Sequence, residues 1–297
     1  MSKHSNDIIE VSNLKEDNLE KPFVYGEKQV CKSSVYGEKN DNGDYIFCDL
    51  RTKVNYKVLS KEQNFDFSTE NLSSLDRLKN FKLSGVKFSL DYCKTDRKKY
   101  RFSVISDLYQ ILWGISMKDS YIDSAETLIS ADRNIVRCRS DINKRRGVPP
   151  GINWNLINKN LDEEDEELEN FAKAVATIGN FMPVPSKHQK LLSFMEERFD
   201  KVLNLIKVFY ICYDFHISTD FLVEDIKSWL MLYWTENSEK SWRNFVDSNY
   251  LKGSFVNEKY DIIKFNGKLE QLSEIIYNRS VVMLEEYEKR ISKITEE

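Results

Sequence analysis

The chain has 297 residues, a net charge of −4 and 41% hydrophobic residues. That length allows one large domain or two ordinary ones, and that hydrophobic share supports a globular core. No apolar run reaches membrane-spanning length. Met1 to Asp7 lacks the apolar centre of a signal peptide, so the expectation is a cytoplasmic protein with no membrane partner.

The catalytic vocabulary is sparse. The only histidines are His4, His188 and His216, and no two share a metal-ligand spacing. No glycine-rich phosphate loop, Gly-x-Ser-x-Gly elbow or Cys-x-x-Cys pair is present. The five cysteines, Cys31, Cys48, Cys93, Cys138 and Cys212, form no disulfide framework and read as reduced thiols. We therefore read no catalytic, cofactor or metal site. Aromatic residues are plentiful, with 15 Tyr, 17 Phe and 5 Trp, which suits both core packing and protein contacts.

Residues 1–21 are polar and read as a flexible arm. A strand-rich domain is expected over 22–147. It opens with a repeat, Val24-Tyr25-Gly26-Glu27-Lys28 and Val35-Tyr36-Gly37-Glu38-Lys39, read as two adjacent extended segments. Asn42-Gly43 predicts a type I′ hairpin turn, with strands at 44–50 and 54–58. Val86 to Tyr92 alternates apolar and polar side chains, as a half-buried strand does, and Tyr100 to Val104 repeats the pattern. Leu108, Ile111, Leu112 and Ile115 have helical spacing, and Ser124 to Ile129 reads as the start of a further short helix.

Charge divides along this domain. Residues 1–50 carry a net −4, residues 51–150 a net +8, and the remainder a net −8. Two basic stretches supply candidate protein-docking residues: Lys94, Arg97, Lys98 and Lys99 at a hairpin tip, and Arg137, Arg139, Arg145 and Arg146 further on. No aromatic-basic nucleic-acid module is recognisable, so no direct nucleic-acid contact is expected. Gly147-Val148-Pro149-Pro150-Gly151 breaks regular structure and marks the boundary.

A helical domain is expected over 152–297. Asp162 to Glu167, with Glu169, reads as a solvated helix start whose carboxylates favour the positive end of the helix dipole. Leu168, Phe171, Ala172, Val175 and Ile178 follow with helical period, and Gly179 reads as the glycine that ends that helix. Pro183 and Pro185 prevent continuation. Ser186 then caps a long helix bearing Phe199, Val202, Leu203, Ile206 and Phe209. Thr219 caps the next, Ser238 opens another with Trp242, Phe245 and Val246, and a final helix follows Asn266-Gly267. The fold class is α+β, with a strand-rich N-terminal half and a predominantly helical C-terminal half. Cys212, Asp214 and His216 are close in sequence but read as a structural thiol and a satisfied histidine.

Phe65-Asp66-Phe67, Thr177 to Pro185, Trp242-Arg243-Asn244-Phe245-Val246 and Asn278-Arg279 together resemble an uncharacterised bacterial and phage family. The layout also resembles the Gabija anti-defence proteins of phages: a flexible, strand-rich N-terminal part, a helical C-terminal part and an Asn/Lys-rich composition. That resemblance implies a non-enzymatic inhibitor, active in the host bacterial cytoplasm, that assembles around the Gabija nuclease–helicase complex. It implies no catalytic residues. The aromatic surplus and amphipathic segments add an expectation of homo-oligomers. The alternative is a metal-dependent nucleic-acid-processing enzyme whose carboxylate ligands form no recognisable motif.

Overall fold

The structure is a computed structural model that describes residues 23–25, 28–50, 73–76, 104–114, 122–138, 165–185, 189–211 and 224–296. These combine helices with three two-stranded antiparallel sheets, a mixed α and β fold in which helices dominate.

β1 (Phe23–Tyr25) pairs with β2 (Lys28–Val30). The first copy of the repeat therefore folds back on itself: Val24 and Tyr25 lie in β1 and Lys28 in β2. The second copy runs through a 3-10 turn, Ser33–Val35, into β3 (Gly37–Lys39), which pairs with β4 (Tyr45–Phe47). The two copies are not adjacent extended segments, because each pairs with sequence outside the repeat or within itself.

Asn42-Gly43 does lie in a hairpin connection. The two-residue type I′ turn does not form, since only Gly43 has positive φ (+85°). Asn40 instead organises a longer loop: its side-chain oxygen accepts from the amides of Asn42 at 3.0 Å and Asp44 at 2.9 Å, a common use of Asn in turns.

α1 spans Val104–Trp113. Val104 is thus helical rather than the end of a strand, while residues 100–103 and the strands expected at 54–58 and 86–92 lie outside the described residues. β5 (Ile122–Thr127) replaces the helix expected from Ser124 and pairs with β6 (Phe181–Pro185). Helical spacing over six residues is too short to decide, and pairing with a strand far along the chain settles the period. Pro183 and Pro185 fit because a two-stranded sheet has an open edge where a missing N–H costs little.

The ladder continues past the strands through one side chain. Asn180, fully buried, accepts from the Ile129 amide at 2.8 Å and donates to the carbonyls of Ile129 at 3.0 Å and Val175 at 2.8 Å. α2 (Ala131–Cys138) follows directly.

α3 (Glu166–Ala174) is capped by Asp165, whose carboxylate accepts from the Leu168 amide at 3.1 Å. It buries Leu168, Phe171 and Ala172. The helix ends at Ala174, so Gly179 is not its terminal glycine. Gly179 sits in a 3-10 turn, Ile178–Asn180, and its need is close approach. A Cβ there would strike the Ile276 carbonyl and the hydroxyl and amide of Ser280.

α4 (Gln189–Ile211) kinks at Arg198, whose φ and ψ of −149° and 80° are not helical. Arg198 grips Asp200 two residues on, at 2.8 and 2.6 Å. α5 (Glu224–Met231) and α6 (Ser238–Ser248) follow. The Asn237 side chain caps α6 by accepting from Lys240 at 2.9 Å. Trp229, Tyr233, Trp242 and Phe245 meet at ring-centroid distances of 5.2 to 6.4 Å, and each buried ring contributes roughly 2–3 kcal/mol of transfer free energy.

α7 (Leu269–Glu296) begins after the turn at Gly267 (φ +85°). Its inner face, Leu272, Ile276, Met283 and Tyr287 among others, unites two apolar clusters. One holds α2 through α6. The other holds Cys31, Val35, Tyr36, Leu50 and α1 against Ile178, Phe181 and the second half of α7.

Candidate functional site

The basic docking residues fall almost wholly outside the described residues: Lys94, Arg97, Lys98, Lys99, Arg139, Arg145 and Arg146 all do. Arg137 lies within α2. The boundary at 147–151, the arm at 1–21, and Cys212, Asp214 and the three histidines are likewise outside them.

The acidic run is described from Asp165 onward. Its carboxylates cap helices, as a dipole argument expects, but not only their own. Glu167 accepts from the amides of Leu269 at 3.2 Å and Glu270 at 3.3 Å, the first turn of α7. Glu169 accepts from Ser74 and Leu75, both at 2.8 Å, at the start of a helical turn over 74–76.

Two buried polar centres were not read from the sequence. Asp107 on α1 is 1% exposed. One carboxylate oxygen takes the hydroxyls of Tyr36 and Tyr287, each at 2.6 Å, and the other lies 3.4 Å from the Cys31 amide. Burial pushes the carboxyl up to about 6, against the lowering effect of those hydrogen bonds. Burial first, and the Asp107 charge second, drives the Cys31 thiol far above its ordinary range, so Cys31 is a poor nucleophile.

Arg279 on α7 is fully buried. Its guanidinium donates to the carbonyls of Asn249 (3.1 and 2.9 Å), Gly179 (2.6 Å) and Phe181 (2.9 Å) and lies 6.0 Å from the Phe255 ring centroid. Burial lowers its pKa to about 9, which keeps it charged at neutral pH. It joins α7, the Gly179 turn, β6 and the end of α6 through backbone carbonyls.

Both centres had a sequence signal. Arg279 falls three and four residues from Ile276, Ile275 and Met283, and Asp107 four from Ile111, so each charge sits on an apolar helical face.

These groups face inward and are engaged with one another. Among the described residues no three His, Cys, Asp or Glu side chains gather as metal ligands would, and no helix is long and apolar enough to cross a membrane.

The outward features are apolar. On α4, Leu205, Val208 and Ile211 are exposed at 37–39% and recur every three residues along one face. Tyr210 donates to the Leu230 carbonyl at 2.8 Å, which holds the end of α5 beside α4. Met231 and Leu232, exposed at 37% and 52%, follow directly. Elsewhere Ile46 of β4 and Tyr277 and Val282 of α7 are also exposed, at 55%, 41% and 39%. Exposed aliphatic side chains grouped as they are on α4 suit a protein contact.

Comparison with protein-family profiles, curated proteins and solved structures found no match for this chain.

Proposed function

We propose that this chain is a non-enzymatic phage inhibitor of bacterial antiphage immunity, which binds and encases the Gabija nuclease–helicase complex in the host cytoplasm so that it cannot act on DNA. The observation that carries the contact role is the aliphatic face of α4, Leu205, Val208 and Ile211, next to Met231 and Leu232. A surface of this kind supplies the apolar centre of an interface. The Gabija target rests on the resemblance in layout and composition.

To the same contact we assign the basic stretches: Lys94, Arg97, Lys98 and Lys99, with Arg137, Arg139, Arg145 and Arg146. Long cations of this kind steer association with an acidic face. The strand-rich character of the N-terminal half belongs to the same proposal, as does self-association of the inhibitor around its target.

The test is co-expression of tagged chain with the Gabija proteins, followed by size exclusion with light scattering. A stable complex, lost or at least tenfold weaker in the Leu205→Gln/Val208→Gln double variant, is expected. Separate elution of the folded chain and the Gabija proteins would overturn the proposal.

A further inference from the structure

The cluster at Asp107 contains more oxygen–oxygen contacts than its phenols have protons. Tyr36 Oη lies 2.6 Å from Asp107 Oδ2, Tyr287 Oη lies 2.6 Å from the same oxygen, and Tyr287 Oη lies 2.8 Å from the Cys31 carbonyl oxygen. Each of these three contacts is at hydrogen-bond distance. With an ionised carboxylate, two phenolic protons serve three contacts. The single Tyr287 proton would have to satisfy both Asp107 and Cys31.

One added proton resolves the count. Tyr36 donates to Asp107 Oδ2, the protonated Oδ2 donates to Tyr287 Oη, and Tyr287 donates to the Cys31 carbonyl. Each of these three contacts then has one donor and one acceptor. The chain runs through three parts of the fold: the segment 31–36, α1 and α7.

We propose that Asp107 carries a proton when the segment 31–36 is docked, and that losing this proton loosens the segment from α1 and α7, making the cluster a pH-sensitive clasp. The groups facing Asp107 are the Cys31 thiol and amide and the Tyr36 phenol from the segment, and the Tyr287 phenol from α7. No Lys, Arg or His among the described residues hydrogen-bonds to it. The nearby cation of α7, Arg290, is engaged by Glu286 at 2.7 Å and by the carbonyls of Ile111 and Leu112 at 3.0 and 2.8 Å. An anion in this place therefore has the two phenols and the Cys31 amide and thiol for partners and, among the described residues, no cation hydrogen-bonded to it, and burial disfavours it. The rise of the carboxyl to about 6 agrees with this.

The sign follows from linkage. A carboxyl that titrates near 3.8 when undocked and near 6 when docked holds the segment most firmly at low pH and loses that advantage as pH rises through 6. The equilibrium for opening then increases about tenfold between pH 5.0 and 7.5.

Cys31 reports on docking because it is 2% exposed. The experiment is alkylation of Cys31 in the full chain, followed by peptide mass spectrometry and scaled to an unfolded peptide of the same sequence at each pH. Protection about ten times greater at pH 5.0 than at 7.5 is expected, with no such ratio in Asp107→Asn, whose amide does not titrate. Equal protection at the two pH values in the natural chain, or an unchanged ratio in the variant, would overturn the proposal. Should the variant fail to fold, carbon NMR of aspartate-labelled natural chain decides. One carboxyl titrating near pH 6 is expected, and all carboxyls titrating near or below 4 would overturn it.

Discussion

The carboxylate of Glu167 accepts a hydrogen bond from the Leu269 amide at 3.2 Å, and so one helix caps another that begins 102 residues later. The first amides of a helix have no partner within it, and a carboxylate there also meets the positive end of the dipole. Glu167→Ala should cost about 1 kcal/mol, and Glu169→Ala a similar amount through the amides of Ser74 and Leu75. Glu166, exposed on the same helix, is the control, with an expected change within about 0.5 kcal/mol. Urea unfolding of the three variants measures this.

Gly179 touches α7 where no side chain fits. Its amide donates to Ser280 Oγ at 2.9 Å, and that hydroxyl in turn donates to the Ile276 carbonyl at 2.9 Å. Gly179→Ala would drive a methyl into the Ile276 carbonyl and the Ser280 amide, which are backbone and cannot swing aside, as well as into the Ser280 hydroxyl. A loss of about 2–3 kcal/mol or more is expected, read as a lowered urea midpoint. An unchanged midpoint would mean that the turn and α7 are not in this contact.

Arg279 satisfies three buried carbonyls from one position, which a lysine cannot do in the same geometry. Arg279→Met leaves the carbonyls of Gly179, Phe181 and Asn249 without that donor and should cost at least about 3 kcal/mol. Arg279→Lys should keep the charge yet recover less than half of the loss. Thermal unfolding of the pair separates charge from geometry, because a purely electrostatic role would let lysine restore stability.

Asp200 gives a pH dependence opposite in sign to that of Asp107. Burial raises the Asp200 carboxyl, but hydrogen bonds from Arg198 and the Phe265 amide outweigh it, and the net shift is downward. A depressed carboxyl contributes stability that is present above the ordinary carboxylate range and is lost as pH falls. Asp200→Asn should therefore cost about 1–2 kcal/mol at pH 7 and distinctly less at pH 3.5. Equal losses at both pH values would show that the Arg198 pair contributes nothing.

Long helices with a regular apolar stripe were legible in the sequence. α6 and α7 begin beside Asn237 and after Asn266-Gly267, and Phe199, Val202, Leu203 and Ile206 of α4 are buried as their spacing predicts. Short elements were not legible. Residues 122–127 form a strand only because residues 181–185 lie beside them, a long-range pairing that local spacing does not encode. Gly179 looked like a helix terminator because close packing and positive φ both select glycine, and only the position of Ser280 separates the two causes. The two buried polar centres were marked by charges on apolar faces, but their partners come from distant segments, 71 residues away for Tyr36 and 180 for Tyr287.

The central proposal is inhibition of Gabija by occupation of its surface. The direct measurement is DNA cleavage by the purified Gabija complex, titrated with the purified chain. Cleavage should fall to background, and the fall should saturate at a fixed ratio of chain to complex, as a stoichiometric inhibitor requires. Undiminished cleavage at a large excess of folded chain would contradict it.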